Sequence, residues 1–353
     1  MKTAGLKTAG LKSAAKIRVL VVDDSALVRR LLSEAISRED DLEVVGLAPD
    51  PFVARDLIVK LKPDVLTLDI EMPRMDGLTF LTRLMHYNPL PAIIISSLGQ
   101  ASSDIALEAL RRGAVEVLAK PSGSYSVGEV AQVLAQKIRV AYASRPRKLG
   151  VNASAPLAKV AFPASSIVAI GASTGGTQAI EEVLLHLPAE CPPIVITQHI
   201  RAGFSTSFAT RLNRLCPFEV KEAVDGDRVQ PGRALIAPGD FHMMLVKSGS
   251  GYTVSVRTGP HVHYQRPAVD VLFASVAAAR PQHAVGVLLT GMGADGADGL
   301  LRMKQSGATT IAQDEESCVV FGMPKAAIER GAATEVLPLS KVAHGIVGAL
   351  TAK

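Results

Sequence analysis

The sequence predicts an α/β protein of two consecutive units, each a mostly parallel sheet with helices on both faces. Three observations carry this expectation. Short apolar runs alternate with amphipathic segments from Ile17 to about Ser144, the same alternation restarts at Ile167, and an Ala/Pro/Ser-rich stretch without periodicity lies between them. Strands covered on both faces read as continuous apolar runs and helices as a 3.6-residue period, and their alternation makes parallel βαβ crossovers. The 353 residues suffice for two separate cores, since domains run to roughly 150 residues.

The elements are expected in the following order. Residues 1–16 repeat Lys-Thr-Ala-Gly-Leu, a period of five that suits neither helix nor strand and contains no signal-peptide apolar core, so they are read as a disordered basic extension. Residues 17–144 form the first unit, with strands at 18–22, 64–70, 92–96 and 115–119 and helices at 26–36, 78–86, 104–111 and 127–143. Residues 145–165, opening on Arg145-Pro146-Arg147-Lys148, read as a linker. Residues 166–350 form the second unit. Its strands are expected at 167–171, 193–197, 234–237, 285–290 and 309–313, and its helices at 177–187, 205–215, 269–279, 297–305 and 324–330, a three-layer, Rossmann-like α/β/α arrangement.

Composition excludes several classes. With 48% hydrophobic and 20% charged residues the chain has the make-up of a soluble globular protein, and no apolar run reaches the roughly 18 residues that a membrane-spanning helix needs. A net charge of +5 owes much to lysines in the first sixteen residues and to the basic start of the linker, so nucleic-acid binding is not implied. Cys191, Cys216 and Cys318 are odd in number and lack metal-ligand spacing, which fits reduced thiols in the cytoplasm.

In a parallel sheet the functional groups gather at the carboxyl ends of strands. In the first unit Asp23 and Asp24 follow one strand, Asp69 another, Ser96 a third and Lys120 a fourth. Three converging carboxylates repel one another, and a hard divalent cation such as Mg²⁺, which takes oxygen ligands, relieves that cost. The cation would also orient and neutralise an incoming phosphoryl group, leaving Asp69 as attacking carboxylate, with Lys120 and Ser96 holding the phosphoryl oxygens. Taken singly, any of these aspartates reads more readily as a helix cap or a solvated loop residue; their joint placement at one sheet edge reverses that preference.

In the second unit Gly171-Ala172-Ser173-Thr174-Gly175 fits G-x-S-x-G between an apolar strand and a helix, the context in which that pattern exposes a nucleophilic serine beside a helix N-terminus. The same turn alone reads equally well as a phosphate-binding loop, although no Gly-Lys-Ser/Thr follows. Serine needs a base and the base an orienting acid. His199 closes the next strand, and Asp295 lies just after the strand at 285–290. His261 and His263 have no Cys, Asp or Glu at ligand spacing, and His242 is assigned no role.

Val-Leu-Val-Val-Asp-Asp, Leu-Asp-Ile-Glu-Met-Pro-Arg-Met-Asp-Gly, Ile-Ser-Ser and Ala-Lys-Pro resemble two-component response-regulator receiver domains. That resemblance implies a flavodoxin-like fold, Mg²⁺ at Asp23, Asp24 and Asp69, and phosphorylation of Asp69 by a histidine kinase. Val117 stands where most receivers carry an aromatic residue, which departs from a switch working through ring rotation. Ile-Gly-Ala-Ser-Thr-Gly-Gly, Thr-Gln-His, Ile-Ala-Pro-Gly-Asp, Arg-Pro-Ala-Val-Asp-Val-Leu-Phe, Leu-Thr-Gly-Met-Gly-Ala-Asp-Gly and Ser-Cys-Val-Val-Phe-Gly-Met-Pro are similar to the catalytic domain of the chemotaxis protein-glutamate methylesterase (CheB) family. The family resemblance spans about residues 17 to 350.

It implies Ser173 as nucleophile, His199 as general base then acid, Asp295 as orienter, and Thr174 and Met292 as oxyanion donors through their backbone N–H groups. The implied activity is phosphorylation-controlled hydrolysis of glutamate γ-methyl esters on methyl-accepting chemotaxis receptors, with deamidation of receptor glutamines, needing no cofactor for the ester step. Two positions depart from the family pattern: Ala294 stands where Asn is common, and Ile200-Arg201 where Met-Pro is usual. Two rival readings remain, a non-enzymatic receiver-effector and a nucleotide-binding enzyme using the glycine turn for phosphate.

Overall fold

A computed structural model describes residues 15–96, 100–120, 127–144, 157, 160–163, 165–279, 281 and 283–351. Nearly all of the expected basic extension and most of the expected linker, with Pro121, lie outside the described residues.

The first unit runs β1 (Ile17–Val22), α1 (Ala26–Ile36), β2 (Leu42–Ala48), α2 (Pro51–Leu61), β3 (Val65–Asp69), α3 (Gly77–Tyr87), β4 (Ala92–Ser96), α4 (Gln100–Arg111), β5 (Glu116–Ala119) and α5 (Val127–Ala143). Its five strands form one parallel sheet in the order β2-β1-β3-β4-β5. The sequence reading missed β2 and α2. β2 sits at the sheet edge with Glu43 and Leu47 turned to solvent, so it lacks the continuous apolar run that marks β3 and β4. α2 announces itself through its cap instead. The Asp50 side chain accepts the N–H groups of Phe52 and Val53, and Pro51 occupies the first turn, where its missing N–H costs nothing.

The second unit runs β6 (Ser166–Ala172), α6 (Gly176–His186), β7 (Ile194–Gln198), α7 (Phe204–Leu215), β8 (Glu219–Glu222), β9 (Arg228–Val229), β10 (Arg233–Ile236), β11 (His242–Ser248), β12 (Gly251–Arg257), α8 (Val269–Ala279), β13 (His283–Leu288), α9 (Ala297–Gln305), β14 (Thr309–Gln313), α10 (Met323–Glu329), β15 (Glu335–Leu337) and α11 (Leu339–Thr351). Seven parallel strands are ordered β15-β14-β13-β6-β7-β10-β8, and β11, β12 and β9 make a separate antiparallel sheet. Neither that small sheet, nor β8, β15 and α11, was read from the sequence. β8, β9 and β15 are too short or too polar to show a period, and β11 and β12 are joined by a Ser-Gly-Ser-Gly turn between strands buried on one face only.

β6 is buried along its whole length because helices cover both faces of the sheet. Each Ile or Val so covered contributes about 1.5 to 3 kcal/mol relative to exposure. One apolar cluster continues from the first unit into the second, joining Leu107 and Leu110 of α4 to Phe204, Phe208 and Ile180, and α4 packs on α7 and α6. The end of the linker is anchored too: Leu157 N–H donates to the His186 carbonyl at 3.0 Å, and Phe162 packs on the same cluster.

Candidate active site

β6 is followed by β7 on one side of the seven-stranded sheet, while β13 joins β6 on the other. That reversal of strand order leaves a crevice at the carboxyl ends of the three strands. Ser173 follows β6, His199 follows β7 and Asp295 follows β13, so the sheet brings together three residues separated by up to 122 positions in the chain.

The Ser173 hydroxyl lies 3.1 Å from His199 Nδ1, and His199 Nε2 lies 2.7 Å from Asp295 Oδ2. With the proton on Nε2 and donated to Asp295, Nδ1 presents a lone pair to the serine hydroxyl. Ser173 is 7% exposed and Asp295 2% exposed, which places the relay in a water-poor setting.

Asp295 is held at the N-terminus of α8. Its Oδ2 accepts Val269 N–H at 2.7 Å and its Oδ1 accepts Asp270 N–H at 2.9 Å. Burial acts to raise this carboxyl, but the hydrogen bond and charge of His199, together with the two N–H groups, outweigh it and hold Asp295 below the usual carboxylate range. An ionised Asp295 is what an imidazolium at His199 requires.

The serine turn is clamped from three sides. Ser173 N–H donates to the Thr290 carbonyl at 3.0 Å, Gln198 Nε2 donates to the Ser173 carbonyl at 2.8 Å, and the Thr290 hydroxyl donates to the Thr174 carbonyl at 3.0 Å. Thr290 is fixed in turn by Gln313, whose Oε1 accepts its N–H at 2.8 Å. Gly175 has φ +77°, and a Cβ there would approach Val319 to 2.6 Å, so glycine is required on both counts. Thr174 is buried and Met292 is exposed at the rim. Among the described residues, neither backbone N–H has a backbone acceptor outside the regular elements.

A second cluster lies at the carboxyl edge of the first sheet, beside the β1/β3 strand-order reversal. Asp69 Oδ2 accepts Lys120 Nζ at 2.7 Å, and Lys120 Nζ is 3.6 Å from Asp23 Oδ2. Ser96 is buried at the end of β4, and Asp24 is exposed. Burial is the main reason that the Asp69 carboxyl is pushed up to about 6; the Lys120 hydrogen bond opposes the shift and the Asp23 charge adds to it. Asp23 is raised as well, chiefly by burial. One ligand oxygen from each of Asp23, Asp24 and Asp69 lies within 4.8 Å of the others, and Asp23 Oδ2 is buried without a hydrogen-bond partner. An all-oxygen donor set with a spare buried lone pair fits Mg²⁺.

The two sites are linked by a contact that the sequence reading missed. Glu116, the first residue of β5, accepts the Thr174 hydroxyl at 2.9 Å and Lys137 Nζ at 2.7 Å. Gln178 Nε2 also donates to the Leu110 carbonyl, and Arg111 lies 3.7 Å from Glu181. A residue of the first unit therefore grips the one next to Ser173.

Gln198, Thr290, Gln313, Val319 and Asp270 were likewise not picked out as site residues, although all of them but Gln313 fall inside quoted motifs. His263 does have an acidic partner, Asp270 at 2.9 Å, which linear spacing hid because the loop folds back on α8. His242 is structural: it is buried, with Nε2 2.9 Å from the Pro260 carbonyl and Nδ1 accepting Ala268 N–H. His261 is exposed.

Comparison with known proteins follows the same division. The family described as CheB methylesterase matches residues 168–346, and that described as response regulator receiver domain matches residues 19–130. The chain is 56% identical over 338 residues to "Protein-glutamate methylesterase/protein-glutamine glutaminase 2" of Syntrophus aciditrophicus, covering 94% of this chain and 98% of that protein. It is 52% identical to "Protein-glutamate methylesterase/protein-glutamine glutaminase" of Salmonella typhimurium, covering 96% and 98%. Among solved structures it is similar to the Thermotoga maritima CheB methylesterase catalytic domain, with 42% identity, a TM-score of 0.50, and coverage of 51% of this chain and 96% of that one.

Proposed function

The chain belongs to the CheB methylesterase family, with a receiver domain ahead of the catalytic one, and from that premise we propose that it hydrolyses glutamate γ-methyl esters on methyl-accepting chemotaxis receptors under control of Asp69 phosphorylation. The receiver is taken as residues 17–144 and the esterase as 166–350. The observation that carries the chemistry is the unbroken hydrogen-bond chain Ser173–His199–Asp295.

In this reading Ser173 Oγ attacks the γ-carbonyl while His199 Nδ1 takes its proton. The tetrahedral oxyanion is met by the backbone N–H groups of Thr174 and Met292, beside the positive end of α6. Loss of one such donor costs about 10²- to 10³-fold in rate. The imidazolium, steadied by Asp295, passes the proton to departing methanol, and water attacks the acyl-enzyme by the same route in reverse. A glutamine side chain presents the same carbonyl with ammonia as leaving group, so deamidation needs no other residues. That agrees with the second activity in the relatives' names.

Control is read from the receiver. Asp23, Asp24 and Asp69 would hold Mg²⁺, which when bound neutralises charge around a phosphoryl group, and Lys120 and Ser96 would take the phosphoryl oxygens. A histidine kinase is the proposed phosphodonor. The grip of Glu116 on Thr174 supports a resting state in which the receiver closes over the esterase cleft, and phosphorylation would weaken that docking. Among the described residues no helix is long and apolar enough to cross a membrane; a cytoplasmic enzyme reaching the inner portion of its receptors is the proposed setting.

The test is methanol release from methylated receptor, with and without an acyl phosphate plus Mg²⁺. Ser173→Ala should release none while unfolding at the wild-type temperature, and Asp69→Asn should keep basal release and lose the stimulation. Methanol release by Ser173→Ala at the wild-type rate would remove the assignment. ATP-induced stabilisation with no methanol release would favour the phosphate-loop reading.

A further inference from the structure

Asp295 is not the last member of its hydrogen-bond chain. Asp270, whose backbone N–H donates to Asp295 Oδ1 at 2.9 Å, uses both oxygens of its own carboxyl. Oδ1 accepts Gly299 N–H from α9 at 2.6 Å, and Oδ2 lies 2.9 Å from His263 Nε2. A ligand atom from each of His263, Asp270 and Asp295 falls within 4.8 Å of the others. The arrangement thus repeats the His199–Asp295 pair one carboxylate further out. Because the described oxygens of Asp270 and Asp295 already accept hydrogen bonds, the cluster reads as a relay of fixed polar groups rather than as a vacant ligand set.

Resting on the Ser173–His199–Asp295 reading above, we propose that His263 and Asp270 form a second imidazole–carboxylate couple that acts through Asp295, holding its carboxylate in line with His199 and placing further negative charge beside it. Asp270 is a positioning residue. Through Gly299 it ties the start of α9 to the start of α8, and the loop carrying Asp295 runs directly into α9. Its charge matters separately from that tie. When His199 takes the serine proton, a second carboxylate within a few ångströms stabilises the imidazolium; at rest the same carboxylate repels Asp295, and His263 relieves the repulsion.

The environment of Asp270 is consistent with a poised group. Burial raises its carboxyl above the ordinary range and the Asp295 charge adds to this, while Gly299 N–H and His263 pull the other way. The charged or titratable groups around it are Asp295 and His263 from the flanking loops and Asp298 and Arg302 of α9, which line a cavity of about 280 Å³ with Asp270 and Val262. Asp298 is paired with Arg330 at 3.0 Å. His263 is at the surface, its side chain 42% exposed, so the couple connects the buried acid to solvent.

The rival reading makes Asp270 a helix staple and nothing more, and Asp270→Asn separates the two. The amide keeps an oxygen for Gly299 N–H and removes the charge. The proposal expects kcat for methanol release to fall roughly three- to tenfold with KM unchanged. It also expects the acid limb of the kcat/KM profile, which reports His199, to move to lower pH by about half a unit to one unit, the change that one lost neighbouring charge of this size would make. A staple alone would lower the unfolding temperature and leave the limb in place, and that result overturns the proposal. Should Asp270→Asn not fold, His263→Ala at the surface replaces it: it leaves the Asp270 carboxylate without its partner, so the limb should move to higher pH, and an unmoved limb there overturns the proposal equally. NMR titration of the His199 ring in a Ser173→Ala background reads the coupling without turnover. A midpoint shifted by Asp270→Asn in that background, with no methanol released by the wild-type protein, would retain the coupling and defeat the esterase reading; methanol release by the wild-type protein with an unshifted midpoint would do the reverse.

Discussion

Glu116→Ala tests the link between the receiver and the esterase where the two touch beside Ser173. The Thr174 hydroxyl donates to Glu116 Oε2 at 2.9 Å, and Lys137 Nζ, 2.7 Å from the same oxygen, holds that carboxylate in place. A hydrogen bond to a charged acceptor contributes about 1.5 to 3 kcal/mol. The Glu116 side chain is 19% exposed and keeps Lys137 when the domains part, so the lower end applies. About 1.4 kcal/mol is a tenfold change in an equilibrium constant, so removing the contact should move the closed–open balance about tenfold towards open. Basal methanol release by the unphosphorylated protein should then rise up to about tenfold, and the further stimulation by an acyl phosphate with Mg²⁺ should shrink by the same factor. Lys137→Ala, which leaves the Thr174 contact in place, should change basal release less than about threefold. If Glu116→Ala keeps wild-type basal release while phosphorylation still stimulates it fully, this contact does not hold the enzyme closed and the argument from it is wrong.

Two further outcomes follow from the geometry. Asp295→Asn turns an amide NH₂ either towards Val269 N–H and His199 or towards Asp270 N–H, so one buried donor loses its acceptor whichever way the amide sits, and the imidazolium loses its counter-charge; kcat should fall about 10³- to 10⁴-fold with KM little changed, and a loss under tenfold would refute the role given to this residue. For Asp69, a folded carboxyl at about 6 against an ordinary 3.8 means that the native state binds the extra proton, so wild-type stability falls as pH rises from about 4 to 6 and then levels. Metal-free Asp69→Asn should escape that loss and be the more stable protein at pH 7 by about 3 kcal/mol, the opposing pull of Lys120 being already contained in that shift, with the two alike near pH 4; chemical denaturation in the presence of a chelator at the two pH values decides it.

The central strands were legible because being covered on both faces leaves a local mark. Residues 92–96 and 309–313 coincide with β4 and β14, and helices α1, α8 and α9 begin and end where their spacing places them. Elements at the margins were lost for the opposite reason. β2, β8, β9 and β15 lie at sheet edges or are very short, and a strand with one wet face or only two or three residues carries no continuous apolar run. The strand expected at 285–290 ends at Leu288, since Thr290 turns out of the ladder to tie the serine turn to the Val320 segment.

The chain by itself determined the two-unit α/β plan and the family, and it supplied the groups to which chemistry is proposed: Ser173 in its glycine turn, His199, Asp295, and the acid set around Asp69. These are written in short contiguous motifs, because a strand end and its following loop are local objects. Only the tertiary structure decided which ring nitrogen of His199 meets the serine, that Glu116 reaches Thr174, and that His263 and Asp270 stand next to Asp295. Each of those depends on a few ångströms between segments up to 58 residues apart, and such distances are set by how sheets order and helices pack rather than by any pattern along the chain.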